Sequence, residues 1–183
     1  MSYQVAISKA WSELEEVSPQ KTHSVQLLAD EYTVDCQAKR ILSLSCNVPT
    51  KDYVTILILH YLVKQLNGLP VPTGEWVSFQ QFDGGQGYYP TFRQRVLKTI
   101  LKKYKANPKA LFALLDRFKA QKTTLADTAV LLEVFDGVSF LIELWKADDE
   151  FGPEVNMLFD KNITEIFCTE DIVVLSEFVA HQI

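Results

Sequence analysis

The spacing of apolar residues alternates between a helical and a strand period, and this pattern predicts most of the secondary structure. Residues 4–17 carry apolar side chains at helical spacing and are predicted to form an amphipathic helix that ends at Ser18-Pro19. Residues 23–44 hold short runs rich in β-branched and aromatic side chains, separated by polar residues. They predict two or three strands of an antiparallel meander.

A second helix is predicted from the N-cap candidate Thr50 to Leu66, before the helix-ending pair Asn67-Gly68. Its residues are apolar nearly all round, which is typical of a central, buried helix. His60 lies on this helix and is interpreted as a core histidine, with a ligand or proton-transfer role as the alternative.

The stretch 74–90 combines glycine and aromatic residues more densely than any other part of the chain. A short strand is predicted from Trp76, and Gly84 to Gly87 predict a loop. Helices are then predicted over residues 91–105 and, after Asn107-Pro108, to about Ala120. The glycines match neither the dinucleotide fingerprint nor the P-loop, so the loop is interpreted as a permissive turn, or as an anion site at the following helix.

The C-terminal third predicts a hairpin, a strand and a last helix. Residues 130–135 and 138–145 flank Asp136-Gly137, a pair that favours a type I′ turn. An acidic loop over residues 146–154, a strand over 155–159 and a helix capped by Thr169 follow. The order of elements predicts one α+β domain over residues 1–183, with a mainly antiparallel sheet of about five to six short strands and about five helices.

Composition narrows the class of protein. The 183 residues are 48% hydrophobic and 22% charged, which is typical of a globular chain. Cys36, Cys46 and Cys168 lack the spacing of a zinc or cluster site. The sequence shows neither a signal peptide nor an apolar run long enough to span a bilayer, so a cytosolic protein without membrane attachment is expected.

Charge is distributed unevenly along the chain. The formal net charge is −5, but residues 93–122 hold 10 basic and 1 acidic side chains, whereas residues 123–183 hold 2 basic and 13 acidic ones. Clustered lysine and arginine suit phosphate groups, yet the acidic chain argues against nucleic-acid binding. The alternatives are compensation between the two segments and a face for a protein partner.

Carboxylates near the end of the chain are the main candidates for chemistry. Asp148, Asp149 and Glu150 are consecutive, and Glu154 and Asp160 are close in sequence. Such oxygens suit a hard divalent cation or general acid–base work, although the run does not fit a calcium loop. The other interpretation is an exposed acidic loop. The three histidines and the lack of a nucleophile elbow argue against a hydrolase triad.

Several motifs in order resemble the prokaryotic family filed as domain of unknown function 3786, from about residue 20 to the end. The motifs are Leu57-x-Leu59-His60-Tyr61-Leu62, Gly74-Glu75-Trp76-Val77-Ser78-Phe79, Gly87-Tyr88-Tyr89 with Phe92 and Arg93, Trp145-x-x-Asp148-Asp149-Glu150-Phe151, Leu158-Phe159-Asp160 and Glu170-Asp171-Ile172. The resemblance implies a protein of anaerobic bacteria or archaea and supplies no catalytic residues. Some members resemble fusions with a cysteine-rich iron–sulfur segment, which this sequence lacks, so the cofactor stays unknown.

The motifs and the composition select the same two stretches, 74–95 and 145–160, and we expect them to meet. The candidate ligand-binding residues are Glu75, Trp76, Arg93, Arg95, Trp145, Asp148, Asp149, Glu150 and Asp160. They would form either a site for a small polar ligand or a network of buried arginine–carboxylate pairs. The predicted function is a cytosolic, non-catalytic binding or accessory module for a small polar ligand or protein partner in anaerobic metabolism. The alternative is a metal-assisted enzyme that uses the Asp148–Asp160 carboxylates; no metal ligands or catalytic residues are assigned.

Overall fold

One antiparallel sheet of eight strands is the centre of the structure, a computed structural model that describes residues 3–183. The strands are β1 (Thr22–Leu27), β2 (Asp30–Asp35), β3 (Arg40–Ser43), β4 (Trp76–Ser78), β5 (Ala120–Thr123), β6 (Thr128–Phe135), β7 (Val138–Trp145) and β8 (Glu154–Asp160). Their order is β3-β2-β1-β6-β7-β8-β4, and β5 pairs with β6 beside β1. The α+β class and the antiparallel sheet are therefore confirmed, with more strands than predicted.

The helices are α1 (Tyr3–Val17), α2 (Asp52–Asn67), α3 (Gly85–Phe92), α4 (Lys98–Tyr104), α5 (Leu114–Arg117) and α6 (Thr169–Gln182). A π-helical turn, Arg93–Leu97, joins α3 and α4 into one continuous rod, so the chain has about the predicted number of helices. Short 3-10 turns cover Phe79–Gln81, Pro108–Ala113 and Lys161–Glu165. None of the helices within residues 3–183 is long and apolar enough to cross a bilayer.

All six helices lie on the same side of the sheet. Each of them contributes buried residues to the single core cluster. Strands β6, β7 and β8 contribute alternate residues to that cluster, since successive strand residues point to opposite faces. Their intervening residues, which include Leu131, Leu141 and Leu158, point to the other face of the sheet. We call this the open face.

Most of the aromatic rings of the core that contact one another lie between β8 and α3. Phe159 lies with its ring centroid 4.8 Å from that of Phe140, 5.5 Å from Phe82 and 6.3 Å from Phe92. Phe92 also stacks on Phe79 at 4.4 Å. These contacts fix the glycine-rich stretch against the sheet.

The glycine-rich stretch differs from the sequence prediction. Of the glycines in the predicted loop only Gly84 lies in the turn, with φ of +72°, and the helix begins at Gly85 rather than near residue 91. The segment after Asn107 also differs, because a 3-10 turn, the short α5 and strand β5 replace the predicted helix to Ala120. The conformation of both segments depends on packing against distant parts of the chain, and the local spacing of apolar residues does not predict such packing.

The predicted caps and the hairpin turn need smaller corrections. Helix α2 begins at Asp52, and the Thr50 hydroxyl bonds the Thr55 hydroxyl at 2.6 Å instead of capping the helix. Cys168 rather than Thr169 occupies the N-cap position of α6. The β6–β7 hairpin is confirmed, but only Gly137 of its turn has a positive φ, +78°, so the turn is not type I′.

Candidate functional site

The structure divides the predicted site residues among three places. Glu75, Trp76 and Asp160 lie where β4 pairs with the end of β8. Trp145 and the acidic loop lie at the beginning of β8, since Trp145 pairs with Glu154. Arg93 and Arg95 lie on the π-helical turn. From Glu154 to Asp160 a strand extends by about 20 Å, so the acidic loop lies far from the place where residues 74–95 meet the end of β8.

Asp160 fastens the segment before β4 to the sheet. Its carboxylate accepts hydrogen bonds from the Thr73 hydroxyl at 2.8 Å, and from the backbone N–H groups of Thr73 at 3.1 Å, Gly74 at 2.8 Å and Asn162 at 3.2 Å. Burial acts to raise the pKa of Asp160, but these hydrogen bonds outweigh it and hold the pKa below the usual value. The role of Asp160 in the fold is therefore structural.

Glu75 makes a surface ion pair beside this fastening. Its carboxylate lies 2.9 Å from the Lys161 ammonium, and both side chains are mostly exposed. The Lys161 N–H also donates to the Glu75 carbonyl at 2.9 Å. An exposed ion pair of this kind contributes little stability. The backbone hydrogen bond between Lys161 and Glu75 is therefore the contact that orients the chain entering β4.

The acidic loop is folded on itself and exposed. The Asp148 carboxylate accepts from the Phe151 N–H at 2.6 Å and from the Glu150 N–H at 2.9 Å. These backbone hydrogen bonds hold the pKa of Asp148 below its usual range. Within residues 3–183 no three His, Cys, Asp or Glu side chains are placed to hold a metal ion together. The predicted convergence of Asp148, Asp149 and Glu150 with Asp160 is wrong.

Arg95 pairs with a residue outside both predicted stretches. Its Nη1 lies 3.6 Å from Oε2 of Glu177 on α6, and the side chain of Arg95 is 54% exposed. Arg93 is exposed on the same turn. The alternative of buried arginine pairs with the acidic loop is therefore also wrong.

Two clefts along α6 meet at Arg95, and we call them together the α6 groove. One has a volume of about 320 Å³ and the other of about 470 Å³. Both are lined by Arg95, Val174 and Glu177, so the two clefts adjoin at these residues, between α6 and the rod that carries the π-helical turn. A concave site with a few converging polar groups is the usual form of a ligand pocket.

The ends of the α6 groove differ in charge. Asp83 and Glu170 lie at one end, and Lys51 and His181 lie at the other. The floor between them is apolar. It is formed by Tyr88, Val173, Val174, Phe178 and Tyr53. The groove therefore has an acidic end, an apolar middle crossed by the Arg95–Glu177 pair, and a basic end.

Local structure positions the acidic end. The left-handed conformation of Gly84 turns the chain into α3, and the Thr169 hydroxyl donates to the Asp83 carbonyl at 2.9 Å. This bond ties the glycine-rich turn to the first residue of α6. Glu170, Glu177 and His181 then recur along one face of α6.

Sequence reasoning identified Arg95 but missed the α6 residues. The signal was present, because Glu170, Val174, Glu177 and His181 lie at helical spacing away from the apolar stripe of α6. What the sequence did not contain was the packing of α6 beside the glycine-rich turn.

A second polar contact holds α6 against α2. His60 Nδ1 lies 2.8 Å from Asp171 Oδ2, and both side chains are mostly buried. The hydrogen bond with Asp171 raises the pKa of His60, although burial alone would lower it. His60 is thus a satisfied histidine between two helices.

The His60–Asp171 pair predicts a pH-dependent stability. Because the pKa of His60 is higher in the folded chain, the contribution is fully present below about pH 6.5 and is lost as the pH rises through the folded-state pKa. We expect Asp171→Asn to lower the free energy of unfolding by about 1–2 kcal/mol at pH 5.5, and by less at pH 8.5. Urea unfolding at both pH values measures this, with His60→Gln as the control that removes the titrating group. An equal loss at both pH values contradicts the prediction.

Comparison with known proteins gives one match. A family model described as "Domain of unknown function (DUF3786)" matches residues 12–182, which include every residue of the α6 groove named above. No curated protein and no solved structure matches the chain. The resemblance of the sequence motifs is confirmed by this match.

Proposed function

Because this chain belongs to the family described as "Domain of unknown function (DUF3786)", a description that states no activity, we propose a function from its geometry alone. The protein is a binding module, and its ligand lies in the α6 groove. That the protein is cytosolic stays a prediction from the sequence. That it serves anaerobic metabolism as an accessory protein stays a prediction from the resemblance to the family.

The position of Arg95 is the observation that carries this proposal. Arg95 lies on a π-helical turn and lines both halves of the groove. Such turns occur frequently at functional sites, because the extra residue interrupts the helix and redirects a side chain. The pair of Arg95 with Glu177 is solvent-exposed, and exposed pairs are worth about 0–1 kcal/mol. A peptide carbonyl in the middle of a bound ligand can therefore accept a hydrogen bond from Arg95 in place of Glu177 at little cost.

The charges of the groove select the ligand class. Asp83 and Glu170 suit a cationic group, and Lys51 and His181 suit an anionic one. From Glu170 to His181 the helix rises by about 16 Å, at about 1.5 Å per residue. The ligand is therefore an elongated zwitterion with an apolar middle, and a short apolar peptide with free termini is its simplest form. About five extended residues span this length.

The test uses a panel of apolar tri-, tetra- and pentapeptides with free termini. We expect saturable binding by isothermal titration calorimetry, strongest for the longest peptides and lost when the termini are acetylated and amidated. Arg95→Gln is expected to weaken binding about tenfold, which equals about 1.4 kcal/mol.

Arg93→Gln is the matched control. Arg93 is an exposed arginine on the same turn but lines neither half of the groove, so its loss should leave the affinity unchanged. Absence of saturable binding to the wild-type protein, or an equal loss in both variants, overturns the proposal.

A further inference from the structure

The open face of the sheet carries an apolar row that no part of the core uses. Leu131 pairs with Leu141, and Leu141 pairs with Leu158, so the three side chains stand side by side about 4.8 Å apart. Leu131 and Leu158 are partly exposed, whereas Leu141 is 1% exposed because its neighbours on both sides shield it. On β1 and β2 the same face presents Ser24, Gln26 and Thr33. The apolar character is thus confined to one half of the face.

One tryptophan stands on each side of the apolar row along the strand direction. Trp76 pairs with Asp160, two residues after Leu158, and Trp145 follows Leu141 by four residues on β7. Strand alternation places both on the open face. Trp145 is 41% exposed, and Phe151 in the adjacent loop is 70% exposed. Large aromatic side chains in the open are the residues that most often anchor a protein interface.

A buried carboxyl group without a cation lies beside the row. Glu143 is only 7% exposed and stands on β7 between Ala129 and Asn156. Burial raises the pKa of Glu143, and hydrogen bonds from Asn156 and Trp145 oppose this rise only in part. None of the ion pairs formed by residues 3–183 includes Glu143.

The rim next to Trp145 is strongly acidic. It comprises Asp148, Asp149, Glu150 and Glu154, and in the part of the chain that the structure describes none of them forms an ion pair. The predicted compensation by the basic segment is realised only in part, since within residues 3–183 only Arg95 and Lys119 of that segment pair with carboxylates. The acidic charge at the end of the open face is therefore free to attract a cationic partner.

We propose that the open face binds a basic amphipathic helix of another protein. The apolar stripe of that helix packs on Leu131 and Leu158, the partly exposed members of the row, between the levels of the two tryptophans. Its lysine or arginine side chains meet Glu143 and the acidic rim. Helices commonly cover the second face of a sheet in layered domains, which favours a helix as the occupant.

A second copy of this chain fits the face less well. Its exposed basic residues Lys98 and Lys102 lie on α4, whose apolar side chains Ile100 and Tyr104 are buried in its own core. That helix offers charge but no apolar stripe. A helix of another protein that carries both the positive charge and an apolar stripe is therefore the better occupant.

The experiment titrates the full chain with a synthetic helical peptide of leucine and lysine in amphipathic order. We expect binding, detected as a change of tryptophan fluorescence that Trp145→Phe reduces. The same peptide with glutamate in place of lysine should not bind. Binding should weaken about tenfold in the double variant Asp149→Lys, Glu150→Lys, and also in Leu131→Gln.

A charge-matched double variant controls for non-specific attraction. Glu16→Lys with Asp116→Lys makes the same change of net charge at exposed positions on α1 and α5, away from the open face. It should bind like the wild type. Equal weakening in both double variants, absence of binding, or a concentration-dependent dimer of this chain that the Asp149→Lys, Glu150→Lys variant abolishes would each overturn the proposal.

Discussion

Replacing Gly85 with alanine is expected to lower the free energy of unfolding by about 3 kcal/mol. A Cβ atom at this position would lie 2.1 Å from the carbonyl oxygen of Phe79. The carbonyl belongs to the backbone of a 3-10 turn whose phenylalanine is fully buried, so it cannot move aside as a flexible side chain would. Helix α3 would have to shift away from the Phe79–Gln81 turn, and the acidic end of the α6 groove would shift with it.

Gly87 provides the matched control on the same helix. A Cβ atom there would meet nothing within 4 Å, and its φ is not positive. Gly87→Ala should therefore raise the free energy of unfolding by about 0.5 kcal/mol, because alanine loses less backbone freedom on folding. Urea unfolding followed by circular dichroism measures both variants. A Gly85→Ala protein within about 1 kcal/mol of the wild type would show that α3 does not begin against the Phe79 carbonyl.

Replacing Phe159 with alanine is expected to lower the free energy of unfolding by about 3–5 kcal/mol. The ring is fully buried on β8 and contacts the rings of Phe140 on β7, of Phe82 just after the 3-10 turn, and of Phe92 on α3. Its removal deletes apolar contacts with all three elements and leaves a cavity that rigid neighbours fill only in part. The measurement is again the midpoint and slope of urea unfolding, with a lower midpoint and an unchanged slope expected.

Phe151→Ala is the control for the loss of the same side chain. Phe151 lies in the loop before β8 and is 70% exposed, so its loss should change the free energy of unfolding by less than about 0.5 kcal/mol. A comparable loss in both variants would mean that the aromatic cluster does not hold the glycine-rich stretch to the sheet. Phe151→Ala also tests the open face separately, since that variant should bind the leucine–lysine peptide less tightly while it stays folded.

Sequence patterns predicted the elements whose side chains repeat strongly with one period. Helix α1, helix α2 and the β6–β7 hairpin follow from apolar spacing and from Asp136-Gly137. Strand β5 escaped prediction because the basic helix predicted to end at about Ala120 overlaps its first residue. Within the fold, residues 120–123 pair with β6 instead. The pairing energy of a distant strand overrode the local preference.

The candidate site was predicted in part. Arg95 was selected from the sequence and lines the α6 groove, whereas Asp148 and Asp160 were expected together and lie at opposite ends of the β8 segment. Nearness in sequence misled here, because an extended strand carries its two ends about 20 Å apart. Glu177, the residue that does meet Arg95, is distant in sequence and became its neighbour through helix packing.

By itself, the sequence determined the class of fold and the main helices and hairpin. It also selected the stretch around Gly84 and Arg95, where the backbone has a left-handed residue and a π-helical turn. Periodicity and turn chemistry act over a few residues, so they can be read directly from the chain. Only the tertiary structure decided that Gly85 starts a helix, that Asp160 fastens the chain before β4, and that Arg95 faces α6. These outcomes depend on which distant surfaces come into contact, and that is settled by the burial of side chains such as Phe159 rather than by local pattern.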